Sequence, residues 1–146
     1  MKKILVINGP NLNMLGIREP EIYGTKTLND INDLISDKAK ELQVEVNFYQ
    51  SNCEGELITK IHEAYGIMDG IIINPGAYSH YSLAIHDAIK AVMIPTYEVH
   101  LSNVYEREEE RKVLITAKAA KKVIAGYGEN SYIIALEELT DELKNK

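Results

Sequence analysis

The run GIIIN at residues 70–74 decides the fold class of this chain. Its consecutive isoleucines leave no polar side chain to face water on either side of a strand. Strands that are apolar on both faces are typical of parallel sheets covered by helices on both sides. The run therefore predicts a central strand of such a sheet.

Further strands and helices are predicted on both sides of this run, and they alternate along the chain. Upstream, KILVI (3–7) is a short apolar run, and VEVNFYQ (44–50) alternates with the period of two of a half-buried strand. Downstream, strands are predicted over 93–100, with Pro95 near its start, and over 121–128. The predicted helices cover 27–42, with Thr27 as N-cap, 54–66, 82–92 and 130–146.

This alternation predicts the architecture. Strands that alternate with helices are joined by right-handed crossovers and form a parallel sheet. We expect an α/β three-layer sandwich with a five-stranded parallel sheet, and the length of 146 residues fits a single domain over 1–146. The charged run EREEERK (106–112) is predicted to be a solvated helix.

The composition argues against nucleic acid as a partner and favours a cytoplasmic protein. The net charge of -6 at pH 7 disfavours nucleic acid as a partner. Cys53 is the one cysteine, so no disulfide within the chain and no cysteine metal cluster is expected, which fits a cytoplasmic protein. No apolar run approaches the ~20 residues of a membrane span, and the N-terminal MKKILVINGP does not match a signal peptide.

Several common kinds of site are not supported by the sequence. It contains no GxGxxG, no GxxxxGK[ST] and no GxSxG motif, which argues against a Rossmann dinucleotide turn, a P-loop and a nucleophile elbow. The histidines lack HxxxH or HxH spacing, which argues against zinc. His62 and His86 lie on predicted helices away from the strand ends and are interpreted as structural.

Polar and reactive side chains gather where the predicted strands end. In a parallel sheet, ligands bind beyond the carboxyl ends of the strands. The side chains that follow the first four strands are Asn8, Asn11, Arg18 and Tyr23; Ser51, Asn52 and Glu54; Asn74 and His80; and Glu98, His100, Ser102, Asn103 and Arg107. This convergence predicts a site at one edge of the sheet.

The residue types at this edge suit an elimination reaction. An arginine beside a tyrosine favours the phenolate, which can take a proton from a carbon next to a carbonyl. Asparagine side chains and a held water can stabilise the enolate, and a histidine oriented by a carboxylate such as Glu98 can protonate a leaving hydroxyl. Together they indicate a dehydratase that works by β-elimination and requires no metal or organic cofactor.

Each of these residues also has a purely structural interpretation. Tyr23 can pack its loop, His100 can be a core histidine at a strand end, and Arg18 can be a surface charge. Asn8 and Asn11 can be turn formers. Convergence at one edge of the sheet favours the functional interpretation over these alternatives.

Four segments together resemble one family closely. They are INGPNLNMLGIREPEIYG (7–24), QSNCEGELI (50–58), INPGAYSHYSLAIHDA (73–88) and IPTYEVHLSNVYEREEERK (94–112). The family is that of the type II 3-dehydroquinate dehydratases. The resemblance implies a flavodoxin-like fold and conversion of 3-dehydroquinate to 3-dehydroshikimate and water, in the shikimate pathway of aromatic amino acid biosynthesis. It also implies anti elimination through an enolate, without metal or Schiff base.

The resemblance implies a role for each site residue. The catalytic positions are Tyr23 as proton acceptor, Arg18 as its activator, Asn11 as holder of a water that faces the enolate, His100 as proton donor and Glu98 as orienter of that histidine. The substrate-binding positions are Asn74, His80, Leu101, Ser102 and Arg111, with Asp87 reaching the site from a neighbouring subunit. Arg107 is assigned to support of the site or to a subunit contact, and the segment 7–24 to a lid with hinges at Gly16 and Gly24.

The family pattern further implies a homododecamer, a tetramer of trimers. The chain departs from this pattern at EERKVL (109–114), where Glu110 replaces an aromatic residue, and at Cys53 and Tyr81. Three alternatives remain open: a silent flavodoxin-like protein that binds a small molecule, a nucleotide or FMN carrier, and a Schiff-base dehydratase. The last would need a lysine in the site, and the strand-end motifs contain none.

Overall fold

The structure, a computed structural model, describes residues 1–17 and 19–145, and of Tyr23 the backbone alone. One parallel sheet contains five strands in the order β2-β1-β3-β4-β5. They are β1 (Lys3–Asn8), β2 (Glu45–Gln50), β3 (Gly70–Asn74), β4 (Thr96–His100) and β5 (Lys122–Ala125). This is the flavodoxin-like order, so the predicted fold class is confirmed. The prediction of a single domain stays a prediction.

Helices cover both faces of the sheet. The covering helices are α2 (Leu28–Leu42), α3 (Glu54–Glu63), α4 (Leu83–Val92) and α5 (Asn130–Lys144), and the short α1 (Pro20–Tyr23) precedes α2 in the chain. Ile72 packs into a core with residues of α2 and α5, whereas Ile71 and Ile73 pack into a second core with residues of α3 and α4. All three isoleucines are 0% exposed, as the run at 70–74 predicted.

Local signals in the sequence set several element boundaries. Thr27 caps α2 in a reciprocal capping box with Asp30, as predicted. The fourth strand begins at Thr96, so the prediction that it begins at 93 was wrong. Met93 takes a left-handed conformation that ends α4, and Pro95 precedes the strand.

The charged run 106–112 does not form the predicted helix. The chain makes two short 3-10 turns there, Val104–Glu106 and Glu109–Arg111. The run has no apolar residue to bury on a helix face, and most helical stability in proteins comes from such packing. Buried Val104 and Leu114 anchor the segment on either side instead.

Within the described part of the chain, every helix is too short or too polar to cross a membrane.

Candidate active site

A cleft opens beyond the carboxyl ends of β1, β3 and β4, and we call it the main cleft. It holds about 480 Å³ of space, including open solvent at its mouth. Its lining residues are Pro10, Asn11, Leu12, Asn74, Gly76, Ala77, His80, His100, Leu101, Ser102, Val104, Arg107 and Arg111. The fold thus gathers eight residues that the sequence singled out, and Pro10, Leu12, Gly76, Ala77 and Val104 are additions.

The loops after β1 and β3 lie in direct contact, and this contact shapes one wall of the cleft. The Gly9 N–H donates to the Asn74 carbonyl at 2.8 Å. A Cβ on Gly9 would lie only 2.6 Å from the carbonyl oxygen of Pro75, so the approach requires glycine. Asn11 follows in a left-handed conformation, and its N–H donates to Oδ1 of Asn52 at 3.0 Å. The left-handed backbone of Asn11 and the bond from its N–H to Asn52 therefore set its position.

Glu98 and His100 form a buried dyad, in which His100 lines the main cleft and Glu98 does not. Glu98 is 0% exposed, and its Oε2 lies 2.7 Å from Nε2 of His100. The hydroxyls of Ser79 and Thr116 also donate to this carboxylate, the first at 2.6 Å. Because a carboxylate only accepts, Nε2 of His100 carries the hydrogen. Nδ1 of His100 is then the nitrogen left without a partner among the described residues.

A second histidine stands beside this dyad. The His80 and His100 rings are nearly parallel, with centroids 6.4 Å apart. Nδ1 of His80 lies 2.8 Å from the Val113 carbonyl oxygen, so it carries the hydrogen. Burial lowers the pKa of His80, although the bond to Val113 works in the opposite direction. His80 therefore favours the neutral form, whose Nε2 can accept a hydrogen bond from a hydroxyl group.

Asn74 is held by the buried hydroxyl of Tyr132, which in turn bonds to the buried side chain of Asn8. Nδ2 of Asn74 donates to the hydroxyl of Tyr132 at 3.1 Å, and that hydroxyl donates to Oδ1 of Asn8. Gly76 N–H donates to Oδ1 of Asn74 at 3.1 Å. All three polar side chains, those of Asn8, Asn74 and Tyr132, are at most 3% exposed.

A carboxylate already lies against the arginines at the rim of the cleft. Nε of Arg111 donates to Oε1 of Glu108, and Nε of Arg107 lies 3.8 Å from Oε2 of the same residue. The backbone N–H of Glu108 and then the bond from Arg111 lower the pKa of Glu108. Nη1 of Arg107 also donates to Oγ of Ser102 at 3.2 Å. The rim therefore offers guanidinium groups in a geometry that a carboxylate can use.

For three further predicted site residues, the structure describes no position in the main cleft. Arg18 lies outside the described residues, and so does the side chain of Tyr23. Both neighbours of Tyr23, Ile22 and Gly24, line a second opening that shares Leu101, Ser102 and Arg107 with the main cleft. Asp87 does not line the main cleft; it is 76% exposed on α4 and lies 2.9 Å from Nδ1 of His86.

The sequence did not predict three of the residues that support the candidate site. Ser79 and Thr116 hold Glu98 but lie far from it along the chain, and no local pattern marks them. The third residue is Tyr132, which is fully buried. A buried tyrosine hydroxyl needs a hydrogen-bond partner, but the partners here become visible only in the fold.

Comparison with known proteins places the chain in a family. Residues 2–140 match the family described as dehydroquinase class II. A 3-dehydroquinate dehydratase of Clostridium perfringens is 59% identical over 145 residues, which is 99% of each chain. One of Caldicellulosiruptor saccharolyticus is 61% identical over 144 residues, 98% of this chain and 99% of that relative.

Solved structures agree with this match. The type II dehydroquinase of Butyrivibrio crossotus has a TM-score of 0.93 and 51% identity, covering 94% of this chain and 97% of its own. That of Propionibacterium acnes has a TM-score of 0.93 and 40% identity, covering 97% of both chains. The sequence, the sheet order and the cleft at its carboxyl edge therefore lead to one assignment: the chain belongs to the class II dehydroquinase family.

Proposed function

We infer that this chain is a 3-dehydroquinate dehydratase, a hydro-lyase of the shikimate pathway of aromatic amino acid biosynthesis. It removes water from 3-dehydroquinate to give 3-dehydroshikimate. Relatives of this name match the chain over nearly its whole length. The observation that carries the proposal is the buried Glu98–His100 dyad, whose histidine lines the main cleft.

The proposed chemistry is an anti elimination through an enolate. Tyr23, as phenolate, takes a proton from the carbon next to the substrate carbonyl, and the electron pair of that C–H bond forms the enolate. Arg18 favours the phenolate because a guanidinium stabilises a neighbouring negative charge. The segment around Tyr23 supports this role, since Ile22 and Gly24 line an opening shared with Ser102 and Arg107.

The second half of the reaction uses the dyad. The enolate collapses to the conjugated ketone, the C–O bond to the neighbouring carbon breaks, and His100 gives the departing hydroxyl its proton. Water leaves, and the proton held by Tyr23 restores the acid. In its acid form His100 carries a hydrogen on both ring nitrogens. Glu98 accepts from Nε2–H, which orients the ring so that Nδ1–H is the group that donates. Asn11 holds a water that faces the enolate oxygen.

The other side chains of the main cleft bind the substrate. The neutral His80 accepts from a substrate hydroxyl, and Asn74 offers its second amide hydrogen. The other proposed substrate-binding residues are Leu101, Ser102 and Arg111. Arg111 can bind a carboxylate, since in the structure its Nε donates to the side chain of Glu108.

The reaction as written moves one proton to a base and one from an acid, so it needs no redox partner, metal or organic cofactor. We place the enzyme in the cytoplasm, as a homododecamer built as a tetramer of trimers. Asp87 supports this assembly because it is exposed and does not line the cleft of its own chain, as expected of a residue that serves a neighbouring subunit.

The test is the ultraviolet absorbance of purified protein mixed with 3-dehydroquinate and a chelator, which follows the conjugated enone product. We expect a clear rise that Tyr23→Phe abolishes and Tyr65→Phe leaves unchanged. Tyr65 is the matched control, because it is 64% exposed and does not line the main cleft. A flat trace from folded protein would contradict the proposed function, and normal turnover by Tyr23→Phe would contradict the proposed base.

A further inference from the structure

Tyr132 lies between the last residues of two neighbouring strands. Asn8 ends β1 and Asn74 ends β3, and the two are paired in the register of the sheet. Their side chains point to the same face of the sheet, the face covered by α5. Tyr132, near the start of α5, reaches both of them with its hydroxyl while its ring is 0% exposed.

The direction of each hydrogen bond follows from one backbone group. Gly76 N–H can only donate, so Oδ1 of Asn74 must face it and Nδ2 of Asn74 must face Tyr132. The hydroxyl of Tyr132 therefore accepts from Asn74, and its single hydrogen is left for Oδ1 of Asn8. The polarity of the whole chain of bonds is thus fixed.

This chain of bonds also fixes what Asn74 presents to the main cleft. With Oδ1 held by Gly76 and one Nδ2 hydrogen held by Tyr132, the second Nδ2 hydrogen has no acceptor among the described residues. Asn74 lines the cleft, so a ligand there meets an N–H donor. An amide turned by half a rotation would present an acceptor instead.

The hydroxyl of Tyr132 acts as a neutral group. Complete burial raises its pKa far above the ordinary value, so it neither delivers nor removes a proton under working conditions. The side chain also lies beneath Asn74 and does not line the cleft. Its action on a ligand must therefore pass through Asn74.

We propose that Tyr132 is a positioning residue, which orients the Asn74 amide so that it donates a hydrogen bond to the substrate. This inference rests on the proposed function, because the ligand is the substrate of that reaction. The residue makes no contact with the reacting atoms in this scheme, so its loss acts on substrate binding more than on the chemical step.

The test compares Tyr132→Phe with Tyr97→Phe by steady-state kinetics with 3-dehydroquinate. Tyr97 is the matched control, because it is also buried, at 2% exposed, and its hydroxyl donates to Glu142, away from the cleft. Loss of the hydroxyl leaves the buried Nδ2 group of Asn74 without its acceptor. We expect kcat/KM of Tyr132→Phe to fall about tenfold, mainly through KM, and that of Tyr97→Phe to stay near the parent value.

A double variant separates positioning from general loss of structure. In an Asn74→Ala background, Tyr132→Phe should lower kcat/KM no further, because its effect passes through the amide that is already missing. Independent, multiplying losses would overturn the proposal. So would a Tyr132→Phe enzyme with kinetics equal to those of Tyr97→Phe.

Two further outcomes are distinguishable. If Tyr132→Phe does not fold, Asn8→Ala tests the same chain of bonds: a rise in KM of about threefold supports the proposal, and an unchanged KM overturns it. If the parent protein is folded but neither binds nor converts 3-dehydroquinate, the proposed function fails and this inference fails with it. An active parent with an unaffected Tyr132→Phe variant overturns this inference alone.

Discussion

Glu98 shows how hydrogen bonds from individual residues hold the candidate site in place. A fully buried carboxylate is costly unless hydrogen bonds replace its hydration. Here Ser79 and Thr116 donate to it from two different segments of the chain, and His100 donates the third bond. The two hydroxyls hold the carboxylate in place, and the carboxylate in turn holds the imidazole ring. The orientation of the proposed acid thus depends on residues that never meet the substrate.

The first prediction concerns Thr116→Val, which keeps the shape of the side chain and removes its hydroxyl. One oxygen of the buried Glu98 loses its donor, so the free energy of unfolding should fall by about 1–3 kcal/mol. The dyad should also lose its fixed geometry, which lowers kcat about tenfold and changes KM less than about twofold. Chemical denaturation and steady-state kinetics measure the two effects.

Thr140→Val is the matched control for this change. Its hydroxyl is buried on α5 and has no hydrogen-bond partner in the described part of the chain. Removing an unsatisfied hydroxyl should leave the free energy of unfolding unchanged or raise it by up to about 1 kcal/mol. If Thr116→Val behaved like Thr140→Val in both assays, the hydroxyl would have no role in holding Glu98.

At the scale of elements, the site depends on how loops from different strands approach each other. The chain leaves β1 through Gly9 and lies against the backbone of Pro75, which follows β3. This contact places Asn11 and Asn74 on the walls of one cleft. The rim at Arg107 and Arg111 is built from short 3-10 turns instead of a helix. This rim of the main cleft is therefore also formed by loop segments.

The second prediction compares two glycine substitutions. Gly9→Ala places a Cβ 2.6 Å from the Pro75 carbonyl oxygen, so the two loops must move apart. We expect the free energy of unfolding to fall by about 1–3 kcal/mol and KM to rise. Gly55→Ala is the control: it lies in the first turn of α3, is exposed, and its Cβ meets nothing closer than Sγ of Cys53 at 4.0 Å.

Gly55→Ala should raise the free energy of unfolding by about 0.5 kcal/mol, because alanine restricts the unfolded chain. Its KM should not change. Denaturant unfolding and substrate titration give both quantities for each variant. Equal KM values for the two variants would mean that the contact between Gly9 and Pro75 does not position the proposed substrate-binding residues.

At the scale of the whole molecule, the proposed assembly gives Asp87 its role. One chain places Asp87 outside its own main cleft, on the exposed side of α4. From this position Asp87 can affect catalysis only if it contacts the active site of another subunit. Complementation between subunits is therefore the direct test.

The third prediction concerns mixed oligomers of Tyr23→Phe and Asp87→Ala subunits, each nearly inactive alone. A site that combines its own intact Tyr23 with an intact Asp87 from a neighbouring subunit should be active. In a random equal mixture around a cyclic interface, about a quarter of the sites meet both conditions, so activity should recover to about a quarter of the parent value. Mixing Tyr23→Phe with His100→Ala is the control, because both residues serve the same chain and no site is restored. Absence of recovery in the first mixture, in particles of confirmed oligomeric mass, would contradict the role of Asp87.

The sequence by itself was enough for the fold class, because hydrophobic periodicity and the β-branched run at 70–74 are local signals. The N-cap at Thr27 was predictable for the same reason. The edge of the sheet at which the cleft opens was also predictable, since the carboxyl ends of parallel strands meet at one edge. The roles proposed for Tyr23 and Arg18 come from sequence resemblance.

Only the tertiary structure decided which residues support the reactive ones. Thr116 reaches Glu98 from 18 positions away, and Tyr132 reaches Asn8 from 124 positions away. The turns that replace the expected helix at 106–112 likewise lie in a segment whose two ends are anchored by the buried residues Val104 and Leu114. Such contacts join residues that no local period relates, because burial and hydrogen-bond satisfaction are settled only when distant segments pack together.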